Sequence, residues 1–145
     1  MLHAHSGLRW LVLFFLVLVI VKSVSGWLGK KEFNKSDNLL AVLLLVFTHV
    51  QLLVGLGVYF MNGWVNLFSD MGSTMKDATL RFWTVEHLVI MLIAVALITV
   101  GRVISKKADT DVLKHKKGAM YYIIALLLIL WAGVFKPYAL GRGWI

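Results

Sequence analysis

The sequence predicts an all-α integral membrane protein, a four-helix bundle with both termini on the non-cytoplasmic side. Three observations carry this expectation. Hydrophobic residues make up 60% of the 145 positions and charged residues only 15%. The apolar residues gather into four runs, at about 8–28, 39–60, 80–104 and 119–135, too long for core helices of a small soluble protein. The basic residues fall mostly between the first and second and between the third and fourth runs. Ten of the fifteen are there: Lys22, Lys30, Lys31, Lys35, Arg102, Lys106, Lys107, Lys114, Lys116 and Lys117. The positive-inside rule places these two connectors in the cytoplasm, with the termini and the 61–79 loop outside.

The length fits one transmembrane domain, 1–145. Span 1 resembles a signal peptide in position. It lacks a basic leading segment and a small-x-small cleavage site around Lys22 to Trp27, so it reads as a retained span. Lys22 is expected to snorkel to the interface. Asp37 or Asn38 can cap span 2 through a side-chain oxygen. Pro137 is expected to end or kink span 4. Between spans 2 and 3, Asn62-Gly63 signals a turn. Trp64, Leu67 and Phe68 then suit either an interfacial amphipathic turn or a lid over the bundle. Trp10, Trp27, Trp64, Trp83, Trp131 and Trp144 lie mostly near span ends, as an aromatic belt requires.

Composition excludes several chemistries. There is no cysteine, hence no disulfide, thiolate metal site or covalent c-type haem attachment. The net charge of +8 sits where topology and anionic lipid head groups explain it, so no nucleic-acid partner is expected. Phosphate-loop and dinucleotide fingerprints are absent.

Polar groups inside a bilayer are costly, and each asks for a reason. His49 lies in mid-span 2, two residues before Gln51 and shortly before Gly55 and Gly57. The glycines suit either close helix packing or room for a flat cofactor. His87 shares a helical face with Trp83 and Met91. Two imidazoles from facing helices are the normal axial clamp of a b-type haem. Counted from the span ends at 1.5 Å per residue, His49 lies roughly 16 Å deep and His87 roughly 9 Å, so a shared iron requires that offset to close. His5 facing His87 or His49 is another pairing. Zinc or copper held by several of His3, His5, His49 and His87 would need a compact cluster. Arg9, Arg81, His5 and Lys76 fall on the side where haem propionates need cations. Glu86 suits an ion pair, with Arg9 or His5 better placed than Arg81, or a proton relay. His115 reads as a solvated or lipid-facing side chain.

His5-Ser6-Gly7-Leu8-Arg9, His49-x-Gln51 with Gly55, Glu86-His87 and Lys114-His115-Lys116-Lys117 together resemble the small four-helix cytochrome b-like membrane proteins of Bacteroidetes. The resemblance spans nearly the whole chain and implies a plasma-membrane protein carrying b-type haem. The resulting expectation is an inner-membrane electron carrier with His49 and His87 as iron ligands and Arg9, Arg81, His5, Glu86 and Gly55 around the cofactor. Quinol, a redox partner protein, or a homo-oligomer or larger complex would serve as partners. The alternatives are a non-enzymatic accessory subunit of a membrane complex, or a small proton or metal transporter.

Overall fold

The computed structural model describes residues 2–141, which form helices and turns with no strand among them. Four helical stretches are long and apolar enough to cross a membrane. The first is α1, Leu2–Leu28, and the second α2, Lys35–Met61. The third comprises α4 (Ala78–Arg81), a π-helical turn (Phe82–Glu86) and α5 (His87–Lys107). The fourth comprises α6 (Asp111–Leu130), a second π turn (Trp131–Phe135) and α7 (Lys136–Ala139). Between the second and third lie a 3₁₀ segment, Trp64–Asp70, and the short α3, Met71–Lys76.

Each helix outruns its hydrophobic stretch. Backbone hydrogen bonding continues past the apolar run until a capping side chain or turn residue stops it. At α2 the cap is Asn34, not Asp37 or Asn38. Asn34 Oδ1 accepts from the Asp37 amide at 3.0 Å, and the Asp37 carboxylate accepts from the Asn34 amide at 3.0 Å. This reciprocal box satisfies two otherwise orphan donors. Asp37 also draws in Lys22, whose Nζ lies 3.4 Å from its carboxylate and 3.3 Å from Ser36 Oγ. Lys22 therefore ties α1 to the start of α2. Gly63, at φ 76°, supplies the left-handed turn that ends α2. Thr110 caps α6 through its hydroxyl. Pro137 neither ends nor breaks the fourth stretch: it follows the π turn, and the Gly133 carbonyl four residues before it accepts from Arg9 instead.

α1 packs against α2 and α6, and α5 packs against α6. The α2–α5 side is the loosest. Thus α1 faces α5 across the bundle, and α2 faces α6. Leu16, Leu44, Ile98, Ala125 and Tyr122 fill the centre. The two ends of the described residues and the 62–77 connection lie at one end of the bundle, called here the terminal end. The two basic connectors lie at the other, lysine-rich end.

The lysine-rich end holds two polar groups inside the bundle. His115 is only 2% exposed, contrary to the solvated or lipid-facing reading. α6 begins at Asp111, so its second turn already faces inward. The missing side chain of Gly26 leaves a socket that the His115 ring fills. Nε2 donates to the Glu32 carbonyl at 3.2 Å, and Phe33 packs 5.2 Å away, ring to ring. Arg102 is also buried and donates through Nη2 to Asn38 Oδ1, bridging α5 to α2.

A Cβ at Gly26 would overlap the His115 ring. Gly26→Val should therefore destabilise the bundle by about 1–3 kcal/mol through overpacking. Unfolding in detergent, followed by circular dichroism against wild type, measures the loss.

Candidate functional site

The main cavity lies towards the terminal end and is walled by all four spanning stretches. It measures about 120 Å³. A single water needs only roughly 10–15 Å³, so this is ligand-sized space. Cofactor sites in helix bundles are built in this way, from side chains on facing helices.

Its polar wall is assembled around the two π turns. A π turn inserts one residue into a helix and disturbs the regular carbonyl-to-amide ladder, leaving carbonyls open to side-chain donors. Three carbonyls in these turns accept from other helices. Tyr59 Oη of α2 donates to Thr84 O at 2.8 Å. His87 Nδ1 donates to Ala132 O at 2.9 Å. Arg9 Nη1 of α1 donates to Gly133 O at 2.9 Å. Because a carbonyl can only accept, His87 must carry a hydrogen on Nδ1. In the neutral ring its lone pair is then on Nε2.

His5 of α1 stands across from His87, with ring centroids 6.3 Å apart and planes at 84°. Gln51 Nε2 donates to the His5 carbonyl at 2.7 Å, fixing α1 against α2. Gly55 makes room for the His5 ring, since a Cβ there would stand 2.8 Å from His5 Cε1. Trp83 and Phe82 pack on His87 at 5.4 and 5.6 Å. The Arg9 guanidinium also lies over the Trp10 ring, at 4.8 Å. Thr48 Oγ1 and Gln51 Oε1 are buried on the α2 wall without a hydrogen-bond partner.

The structure thus gathers His5, Arg9, Gln51, Gly55, Trp83, His87 and Met91 around one space. It does not bring His49 there. His49 is exposed on the outer side of α2, turned away from His87, with Nδ1 bonded to Leu45 O at 2.8 Å. The 100° step between successive residues decides this: Thr48 and Gln51 face inward, so His49 between them cannot. Glu86 and Arg81 are outside the cavity wall as well. They pair with each other, Arg81 Nε to Glu86 Oε1 at 2.7 Å, while Arg81 Nη1 donates to Met75 O at 3.0 Å. On a regular helix residues five apart point in different directions, which made Arg9 or His5 seem the better partner. The π turn Phe82–Glu86 widens the helix and aligns them.

Trp64 packs on Trp83, centroids 6.3 Å apart, so the 3₁₀ segment leans on the site. The side chain of Phe68 lies outside the described residues, as do Arg142 and Trp144. No group of three or more His, Asp or Glu side chains converges among the described residues. Arg9 and His5 were legible as candidates because they precede a long apolar run. The π turns and the carbonyl acceptors Ala132 and Gly133 had no sequence signal.

No family model, curated protein or solved structure matches the chain.

Tyr59→Phe removes the donor to the buried Thr84 carbonyl without removing the ring. It should cost about 1–3 kcal/mol and loosen the π turn. Amide exchange is expected to quicken at Phe82–Glu86 and remain slow in the α1–α6 contact.

Proposed function

We propose that the chain is a b-type haem protein of the bacterial inner membrane that carries electrons. Its termini face the non-cytoplasmic side, with a membrane quinol as the candidate donor. The observation that carries this reading is the His5–His87 pair at the cavity, with centroids 6.3 Å apart. Imidazole nitrogens bind first-row metals at about 2.0–2.1 Å. Both rings border the cavity from different helices, and one nitrogen of each would hold the iron. The pair therefore replaces His49 and His87 as the proposed ligands.

Haem iron would supply a one-electron ferric–ferrous couple. The remaining work belongs to this chain's own residues. The Ala132 carbonyl accepts from His87 Nδ1 and so orients the ring, and Nε2 would be the atom that meets a metal. The Gln51 bond to the His5 backbone and the Gly55 notch set the opposite ring. Arg9 brings a cation to the wall, where a propionate would need one. Arg81 is committed to Glu86 and Met75, so it drops out of that role. The same ion pair holds Glu86 off the cavity, which weakens a transport path through that carboxylate. The lysine-rich connectors support the orientation through the positive-inside rule and contact with anionic lipid.

Detergent-purified protein should show a Soret band that shifts on reduction, with haem near one per chain. His87→Ala and His5→Ala should each lose most of the haem, and His49→Ala should retain it. A colourless protein from haem-replete cells, with its helix content intact, overturns the reading. A fixed co-purifying partner would then favour the accessory-subunit alternative. Flux into liposomes that is lost in Glu86→Gln would favour transport.

A further inference from the structure

His49 lies in the middle of α2, fourteen residues from Lys35 and twelve from Met61. That is about 18–21 Å from either helix end, the centre of a bilayer. Its Nδ1 faces a carbonyl, Leu45 O at 2.8 Å, so Nδ1 carries the hydrogen. In the neutral ring Nε2 is then an acceptor. Thr99 Oγ1 of α5 lies 3.4 Å from Nε2, within hydrogen-bond reach. The single hydroxyl hydrogen of Thr99 is already donated to Val95 O at 2.8 Å. Two acceptors therefore face one another on an exposed surface, and neither supplies a hydrogen to the other. In hydrocarbon no water repairs this.

We infer that His49 Nε2 and Thr99 Oγ1 form a binding site for the hydroxyl of a bilayer-soluble hydroquinone, entered sideways between α2 and α5. The surroundings favour a small ligand over a second copy of the chain. The exposed neighbours are hydrocarbon, among them Val46, Val50 and Leu53 on α2 and Leu92 and Val100 on α5. A second copy docking here would bring apolar side chains and the same acceptor pair, but no donor. A lipid head group is anchored too far away to reach the bilayer centre. A hydroquinone combines O–H donors with a flat apolar ring that partitions into hydrocarbon. The α2–α5 side is the loosest seam of the bundle. Leu52 and Val95, one turn from His49 and Thr99, line the main cavity. A ring held at the pair would thus rest one helical turn, about 5.4 Å along the axis, from the cavity wall. The inference rests on the electron-transfer reading for its purpose and names that reading's substrate class. The binding chemistry needs only the two acceptors.

The test compares three ligands of one shape on the full chain in nanodiscs: a short-tailed alkyl hydroquinone, its dimethyl ether and the corresponding quinone. Only the first can donate a hydrogen bond. With ¹⁵N-histidine labelling, the His49 Nε2 resonance should shift with the hydroquinone alone. The hydroquinone should bind about tenfold or more tighter than its ether, the worth of one such bond. His49→Phe, a change on a lipid-facing surface, should abolish both the shift and the preference. Equal binding of all three, or a preference that survives His49→Phe, overturns the proposal. So does a His49 Nε2 already hydrogen-bonded in ligand-free protein within a dimer that His49→Phe dissolves, which would assign this face to a second copy. Haem content is read separately. A colourless protein that keeps the hydroquinone preference would reject the haem reading and leave this one standing.

Discussion

The hydrogen bonds into the two π turns are what the terminal half of the bundle depends on. Phe82–Glu86 and Trp131–Phe135 each add a residue to a spanning helix, and each leaves carbonyls available to side chains from elsewhere. Tyr59, His87 and Arg9 take up Thr84, Ala132 and Gly133 respectively. In hydrocarbon an unpaired carbonyl costs several kcal/mol, so these donors are part of the fold as well as of the site. One device therefore joins α1 and α2 to the third and fourth spans and aims the His87 ring at the cavity. It also explains the Arg81–Glu86 pair, which a regular helix would not form.

The two ends of the bundle use polar groups differently. At the lysine-rich end, His115 fills the Gly26 socket and donates to Glu32, while Arg102 donates to Asn38. The first contact joins a connector to α6 and the second joins α5 to α2. The void at this end, about 10 Å³, is lined by other residues, and His115 Nδ1 and Arg102 Nη1 are buried without a hydrogen-bond partner. At the terminal end, polar groups line a larger space, and buried acceptors on Thr48 and Gln51 face it without partners. Both ends thus hold buried polar atoms without partners, and the ends differ in the space beside them, about 120 Å³ at the terminal end against about 10 Å³ at the other. His49 belongs to neither end: it stands at mid-depth, on the outside, beside the loosest seam.

Much of the architecture was legible in the chain because a membrane simplifies the problem. Apolar runs of some twenty residues must become helices, since lipid offers the backbone no other partner. All four runs did so. Their ends were less legible. Asn34 caps α2 from outside the hydrophobic run, so hydropathy pointed to Asp37 or Asn38 instead. Pro137 looked like a terminator, but the helix runs on to Ala139 because Arg9 takes up the Gly133 carbonyl that the proline cannot. Within the site, periodicity grouped Trp83, His87 and Met91 on one face, and all three line the cavity. The same reasoning could not say which face of α2 turned inward, because His49, Thr48 and Gln51 are all polar and His49 does not share a face with the other two.

By itself, then, the sequence determined an all-helical chain with four stretches able to span a bilayer, and a short roster of polar residues that required partners. Hydropathy and helical periodicity are local properties, and they suffice for that much. Which partners met was decided by tertiary structure alone. The rotation of α2 sent Gln51 inward and His49 outward. The π turns changed helical register by one residue, pairing Arg81 with Glu86 and opening carbonyls to His87 and Arg9. His5 came opposite His87 because α1 and α5 lie diagonally across the bundle, a relation between residues 82 positions apart. Rotation, register and diagonal placement follow from packing four helices together, and no window of sequence contains them.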